Sequence, residues 1–493
     1  MNRIFSDINK FYGGLKMSNL TTSSAGRRIA SLLDENSFVE IGARVQARST
    51  DFNLETKKAP GDGVMTGYGL IDGNLVYVYS QDASVLGGAI GEMHAKKIVN
   101  LYHMAMKTGA PVIGLIDSAG LRLEEATDAL NAFGRIYHNQ ALASGVIPQI
   151  TAIFGNCGGG LAIIPGLTDF TFMEGSKAKL FVNSPNAIKG NYEEKNDTAA
   201  AAFQSEEAGI VDFVGSEDEI FAGIRQLITF LPSNNEEEAL AECTDDLNRA
   251  SSIIASCTGD TGAAFAEIAD DNIFLEVKSA YGKNMVTGFI RLDGMTIGCI
   301  ANRTEITGED GKPAETFKAL INPKGARKAT DFVKFCDAFE IPILTLTNVK
   351  GYGNCEYCEK HVAREAAKLT AAFAEATVPK VNVYIKEAFG TAAVVMNSKS
   401  IGADYAYAWD SAKIGSMDAK HAAEIMYDGE DKSVIEDKAK EYEALQTSAE
   451  SAASRGYVDT IIAPEDTRKY VIGAFEMLYT KREDRPEKKH GAV

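Results

Sequence analysis

No run of apolar residues approaches the roughly 20 that a bilayer-spanning helix needs, so no membrane span is expected. Basic residues are outnumbered, 50 Lys and Arg against 68 Asp and Glu, and no dense basic stripe occurs. A surface with a formal net charge of -18 repels phosphate backbones, which argues against nucleic-acid binding. It leaves room for a phosphate-bearing ligand, because such a pocket needs only a few local donors. Cysteine is sparse: seven are scattered along the chain, and only Cys355 and Cys358 lie close together. That pattern does not build a disulfide scaffold and suits a reducing compartment. The opening stretch MNRIFSDINKFYGG has no apolar core and no small-residue cleavage site, so a cytoplasmic location is expected. What remains is an ordinary globular composition, 45% hydrophobic and 24% charged, in a chain of 493 residues. Two or three domains are the expectation at that length.

The chain repeats itself. FVEIG (Phe38–Gly42) recurs as FLEVK (Phe274–Lys278), and VMTGYGLIDGNLVYVYSQD recurs as MVTGFIRLDGMTIGCIANR. APVIGLIDSAG pairs with IPILTLTNVKG, GVIPQITAIFGNCGGGLA with ATVPKVNVYIKEAFGTAA, and LTDFTFMEGSKAKLF with GADYAYAWDSAKIGS. Five segments keep their order at an offset of roughly 220–236 residues, far beyond solenoid periods. This is a duplicated domain. The polar, acidic stretch Leu231–Ser251 is the expected junction, dividing the chain into 1–238 and 239–493. Within each half, near-continuous apolar runs such as Leu75–Tyr79, Pro111–Ile116 and Gln149–Phe154 alternate with helical patterns. In GEMHAKKIVNLYHMAMKTG, Ile98, Val99, Leu101, Tyr102 and Met106 recur at helical spacing. The pattern predicts an α/β class with sheets covered on both faces.

The turn FGNCGGGLAIIPG (Phe154–Gly166) carries three competing readings. As a phosphate loop it lacks the lysine of G-x-x-x-x-G-K-[ST] and the spacing of G-x-G-x-x-G, and Glu174 alone does not supply a ribose acid. As a cysteine elbow, Cys157 needs a base, for which His421 is the best placed of six histidines. The matching turn EAFGTAA has no cysteine, which leaves Cys157 as a small buried residue. The third reading uses backbone N–H groups: glycines at a helix start let two amides face an oxyanion without a Cβ in the way. The same glycines also suit plain tight strand–helix packing.

These segments resemble a known family. PGDGVMTGYGLIDGNLVYVYSQDASVLGGAIGE, MAMKTGAPVIGLIDSAGLRLEE, ASGVIPQITAIFGNCGGG and LTDFTFM look like the N-terminal half of the biotin-dependent acyl-CoA carboxyltransferases. NPKGARKATDFVKFCDAFEIPILTL, FAEATVPKVNVYIKEAFGTAAVVMNSK and ASRGYVDTIIAPEDTRKYV look like their C-terminal half. The resemblance runs from about Gly26 to Tyr470. It implies tandem crotonase-like spiral domains, the first binding acyl-CoA and the second binding biotin brought by a separate carrier protein or domain. It implies a trimer of dimers, with active sites between the N-terminal domain of one subunit and the C-terminal domain of another. On this resemblance Gly159 and Gly160 donate N–H groups to the thioester enolate, with Gly120 and Leu121 in DSAGLR as the second loop of that hole. Thr391 and Ala392 hold the biotin ureido oxygen, with Gly351 nearby. Two such holes suit carboxyl transfer, which builds negative charge on one oxygen and then on the other.

There are departures and decoys. The family's usual P-G-x-x-P-G loop reads VKGYGNCEYC (Val349–Cys358), with both prolines absent. Subunits of sodium-pumping decarboxylases and anaerobic transcarboxylases are therefore the expected relatives, with an acyl-CoA carboxylase β subunit as the alternative. Cys355, Cys358 and His361 offer three metal ligands without a partner CxxC, and no metal is expected. AMKT (Ala105–Thr108) resembles a biotinylated tetrapeptide, but it closes a helix, so Lys107 reads as a helix-end cation. Biotin and any membrane pump or biotin carboxylase are expected from other polypeptides. The preferred substrate is a small 2-carboxyacyl-CoA of the methylmalonyl or malonyl type. Two other classes stay open, a cysteine hydrolase using Cys157 with His421 and a non-catalytic acyl-CoA-binding scaffold.

Overall fold

The computed structural model describes residues 22–48, 52, 57, 59–188 and 197–486. The opening stretch named above and the tail histidine His490 lie outside the described residues. The chain divides into two compact units, Met1–Glu237 and Glu238–Val493, the boundary falling inside the acidic stretch Leu231–Ser251.

The first unit runs α1 (Ser24–Leu32), β1 (Val39–Ile41), β2 (Val64–Ile71), β3 (Asn74–Gln81), α2 (Glu92–Thr108) and β4 (Val112–Ser118). It continues through α3 (Ala126–Ala143), β5 (Gln149–Gly158), β6 (Phe170–Glu174), β7 (Lys179–Phe181), β8 (Phe213–Gly215) and α4 (Glu217–Phe230). Its sheet has the order β1-β2-β3-β4-β5-β6-β8, with β7 pairing the far end of β5. The β1–β2–β3 portion is antiparallel and the remainder parallel. α2 shows why the periodic stretch folds as it does: Ile98, Leu101, Tyr102 and Ala105 bury one stripe. Gly109, left-handed at φ 62, ends the helix, with the exposed Lys107 in its last turn. β4 and β5 are buried on both faces over most of their length, as parallel strands under helices must be.

The second unit contains α5 (Thr261–Ile268), β9 (Leu275–Glu276), β10 (Met285–Leu292), β11 (Met295–Asn302), β12 (Glu305–Thr307), β13 (Pro313–Thr316) and β14 (Leu320–Ile321). Then come α6 (Pro323–Ala338), β15 (Ile343–Val349), β16 (Gly351–Tyr352), α7 (Glu356–Glu375), β17 (Lys380–Phe389) and α8 (Gly390–Val395). β18 (Tyr405–Trp409), β19 (Lys413–Gly415), α9 (Ala419–Met426), α10 (Lys432–Gln446), α11 (Ala449–Ser454), β20 (Thr460–Ile462) and α12 (Thr467–Leu478) complete it. Its sheet order, β9-β10-β11-β15-β17-β18-β20 with β19 on β17, repeats the first strand for strand. Each unit carries one mixed sheet, as the resemblance to tandem crotonase-like domains implies.

The duplication extends to atoms that sequence comparison does not show. Both β-hairpins turn on Asp-Gly pairs with positive φ, Asp72–Gly73 and Asp293–Gly294. The Asp34 carboxylate accepts the Asp72 and Gly73 N–H groups at 3.0 Å each, and Asp270 does the same at Asp293 and Gly294. An arginine from the closing helix pairs with each aspartate, Arg225 with Asp34 at 2.8 Å and Arg468 with Asp270 at 2.7 Å. Buried lysines repeat too: Lys97 Nζ donates to Val64 O, and Lys328 Nζ to Met285 O at 2.9 Å. Gly67 and Gly288 match because a Cβ at either would lie 2.3 Å from a carbonyl oxygen of the neighbouring edge strand, Val39 or Leu275.

Candidate active-site turns

In each unit the central parallel strands lose register at their C-terminal ends. Ile116 faces Ile153, but Ser118 faces Cys157; Thr347 faces Tyr384, but Val349 faces Ala388. Beyond the bulge β5 and β17 no longer pair with β6 and β18, and each pairs instead with a short strand, β7 or β19. A sharp turn into a helix follows. Gly159 opens the short 3-10 helix Gly159–Ile163 at φ 62, and Gly390 opens α8 at φ 63. The first N–H groups of a helix have no intrahelical acceptor, so both turns present backbone donors.

The strand register keeps the alignment of GVIPQITAIFGNCGGGLA with ATVPKVNVYIKEAFGTAA. Gly159 corresponds to Gly390, Gly160 to Thr391 and Leu161 to Ala392, with the same burial in each pair: half-buried, exposed, buried. The amide pairs implied by the resemblance are Gly159–Gly160 and Thr391–Ala392. Gly160 and Thr391 are the position common to both.

In the first unit the structure brings the DSAGLR loop to the turn: a Cβ on Gly120 would lie 3.4 Å from Gly158 O. Gly120 (φ 93) and Leu121 are held as a strand-like rung, with Gly120 O accepting Ile90 N–H at 2.8 Å and Arg122 N–H donating to Ile90 O at 3.0 Å. The Gly120 N–H is already used, donating to Ser118 Oγ at 3.1 Å. The Leu121 N–H has no hydrogen-bond partner among the described residues, and it is the donor this loop can offer. Tyr137 on α3 donates its hydroxyl to Gly160 O, holding the turn from the other side. Sequence reasoning missed Ser118 and Tyr137. Ser118 stands inside DSAGLR, whereas nothing in the pattern around Tyr137 marks it.

A buried charge cluster underlies this loop. Arg122 Nη1 lies 2.6 Å from Asp62 and 2.7 Å from Glu125, and Nη2 donates to Ala89 O at 2.7 Å. Burial pushes the Asp62 carboxyl up, against the pull of the Arg122 guanidinium. His94 belongs to the same cluster and is a structural residue rather than a base. Its ring accepts from the Gln81 amide at Nε2, 3.1 Å, and donates from Nδ1 to Asp62 O, 2.9 Å. Burial, assisted by Arg122, lowers it to about 3, so the ring stays neutral.

The cysteine reading fails on burial. Cys157 has no exposed surface, its thiol donates to Leu161 O at 3.5 Å, and burial pushes its pKa far up. A thiol held neutral is no nucleophile. His421 is exposed at the start of α9 and lies 3.4 Å from its own helix cap, Asp418. Glu174 likewise serves its local turn, accepting Ser176 Oγ–H at 2.7 Å and Lys177 N–H at 2.6 Å.

In the second unit β16, which starts at Gly351 and pairs with β14, packs against α8, the helix that carries Thr391. Thr391 is exposed and Ala392 is buried, with their amides in the first turn of α8. A carbonyl oxygen that gathers negative charge fits donors of this kind without any cation. Cys355 caps α7 instead of lying in a loop, and the His361 ring packs on Tyr357 with centroids 4.7 Å apart. Among the described residues no cluster of three or more His, Cys, Asp or Glu side chains is placed to hold a metal ion. No helix among them is long and apolar enough to cross a membrane.

The carboxyl transferase domain family matches residues 22–493. The methylmalonyl-CoA decarboxylase subunit alpha of Veillonella parvula is 39% identical over 95% of this chain and 92% of its own length. The propionyl-CoA carboxylase beta chain of Roseobacter denitrificans is also 39% identical, over 95% and 93%. Among solved structures, the transcarboxylase 12S hexamer with hydrolysed methylmalonyl-coenzyme A bound superposes with a TM-score of 0.88 at 35% identity. That match covers 96% of this chain and 93% of that one. The chain belongs to the carboxyl transferase domain family and is the carboxyltransferase subunit of a biotin-dependent acyl-CoA enzyme.

Proposed function

We propose that this subunit moves a carboxyl group between a small 2-carboxyacyl-CoA, of the methylmalonyl or malonyl type, and biotin held on a separate carrier, within a decarboxylase or transcarboxylase. The observation that carries this reading is the repeated bulge, turn and helix start, with Gly159 and Gly390 at φ 62 and 63. Each unit thereby offers its own set of backbone donors to one oxygen. In the first unit the Gly160 amide, with Gly159 beside it and Leu121 N–H from the neighbouring loop, stabilises charge developing on the thioester oxygen. In the second, Thr391 and Ala392 N–H groups hold the ureido oxygen, with Gly351 alongside. Biotin, when bound, supplies the ureido nitrogen that carries the carboxyl group. Removing one such donor costs about 2.7–4 kcal/mol in comparable sites.

The decarboxylase and transcarboxylase assignment draws on the Veillonella parvula relative and on transcarboxylase 12S, a hexamer whose structure holds hydrolysed methylmalonyl-coenzyme A. A trimer of dimers is the corresponding proposal for this chain. A carboxylase β subunit is the second reading, favoured by the equally similar propionyl-CoA carboxylase beta chain. The test follows labelled carboxyl from methylmalonyl-CoA, malonyl-CoA or glutaconyl-CoA with free biotin added. Release from the first or second supports the proposal, and release from none of them overturns it. Carboxylation of propionyl-CoA or acetyl-CoA with an added biotin carboxylase and carrier, at rates above decarboxylation, establishes the second reading.

A further inference from the structure

The segment that replaces the family's proline-containing loop ends in Cys355-Glu-Tyr-Cys358, at the head of the 20-residue helix α7. Cys355 is the helix cap and is exposed; Cys358 sits in the first turn and is 7% exposed. The Cys355 sulfur accepts the Cys358 N–H at 3.2 Å, and the two Sγ atoms lie 2.6 Å apart. A disulfide at about 2.05 Å is reached from there by a small movement of one side chain. The loop leading in is packed on the inner thiol: a Cβ on Gly353 would lie 2.6 Å from Cys358 Sγ, and Gly353 N–H donates to Ile321 O at 2.8 Å.

We propose that Cys355 and Cys358 form a thiol–disulfide exchange site, with Cys355 as the attacking sulfur and Cys358 as the resolving one. The Cys355 thiolate attacks one sulfur of a low-molecular-weight disulfide, forming a mixed disulfide and expelling one thiolate. Cys358 then attacks the Cys355 sulfur, loses its proton and expels the second thiolate. Two protein thiols and one small disulfide become one protein disulfide and two small thiols. The two electrons given up by the cysteines reduce the incoming disulfide, and the two protons pass to its thiolates. Excess small thiol runs the exchange backwards.

The environments divide these roles. The Cys358 thiol and N–H hydrogen-bond to the Cys355 sulfur and hold it below the ordinary thiol range, while burial raises Cys358. A helix start further favours a thiolate at the cap. The partly exposed cysteines elsewhere, Cys243 and Cys257, are both raised by burial and serve as internal controls. Oxidation would draw Cys358 toward Cys355 and away from Gly353, in the loop that begins at Gly351.

The experiment treats the full chain with glutathione disulfide over a range of reduced-to-oxidised ratios, then alkylates and maps the peptides by mass. Wild type is expected to lose both thiols of the Cys355–Cys358 peptide and retain no glutathione, and its Cys355 to alkylate faster than Cys243 and Cys257. Cys358→Ser is expected to keep glutathione on Cys355, and Cys355→Ser, which retains a good helix cap, to form neither product. Glutathione persisting on wild-type Cys355 while Cys358 stays alkylatable overturns the proposal. So does an unreacted pair at ratios that modify Cys243 or Cys257.

Discussion

A methyl group added at Gly159 tests the oxyanion assignment more sharply than any deletion, because a backbone donor cannot be removed by mutation. Gly159 sits at φ 62, and a Cβ built there meets no atom of the described residues within 4 Å. The substitution therefore costs only the left-handed backbone penalty, about 1–2 kcal/mol, with no packing clash. The methyl projects into the open space above the turn, where the proposed thioester oxygen must approach. Gly73, in the β2–β3 hairpin, is a matched control, with φ 82 and no atom within 4 Å of its Cβ. Gly159→Ala and Gly73→Ala should lower the melting temperature alike, by about 2–8 °C for units of this size. Only Gly159→Ala should lose turnover. If the methyl holds the oxygen off its donors, the loss approaches that of a missing donor, about 10²–10³ in kcat. The assay is transfer of labelled carboxyl from methylmalonyl-CoA to free biotin, with thermal unfolding measured in parallel. Near-wild-type turnover in Gly159→Ala refutes the reasoning, and an equal loss in both variants reduces the effect to stability. Valine at Gly159 should also abolish turnover in a folded protein, but its β-branched side chain suits a positive φ poorly, so alanine separates the two effects better.

Cys157→Ala should leave turnover largely intact and cost about 1 kcal/mol of stability from one lost buried group; abolished turnover in a folded variant would restore the hydrolase reading. His94 is neutral in the fold, shifted from 6.5 to about 3 by burial. Its depressed value contributes stability that is present above 6.5 and is lost as the pH falls towards 3. Urea unfolding at about pH 5 should show wild type losing about 2 kcal/mol relative to pH 7 from this residue, and His94→Gln should lack that component. The repeated arginine–aspartate pairs should differ in cost, because the Arg468 side chain is 2% exposed and that of Arg225 is 27% exposed. Arg468→Ala, which strands the buried Asp270, should cost about 3–5 kcal/mol, and Arg225→Ala about 1 kcal/mol or less. Equal unfolding midpoints for these two variants would contradict that ordering.

Much of the architecture is legible along the chain because it is local. The apolar runs that become β3, β4 and β5 and the stripe that becomes α2 need only periodicity. The order of matched segments announces two similar domains before any coordinate is known. Asp72–Gly73 and Asp293–Gly294 mark their hairpins because a tight turn with positive φ selects those residues. The glycine-rich turn was also visible, and comparison with EAFGTAA moved attention from the cysteine to the backbone. The same alignment sets Gly159 on Gly390 and Gly160 on Thr391, and the pairing of β5 with β7 and of β17 with β19 keeps that register.

By itself, then, the sequence determined the duplication, the strand and helix segments and the family, since each is carried by residues close together or by their order. Tertiary structure alone decided which groups are available. It spent the Gly120 amide on Ser118, left the Leu121 amide without a partner among the described residues, buried Cys157 and held His94 neutral among Arg122, Gln81 and Asp62. Arg225 and Asp34 are 191 residues apart in the chain, and Arg468 and Asp270 are 198 apart. Availability, burial and long-range pairing depend on what folds back over a residue, and that information is shared among distant segments.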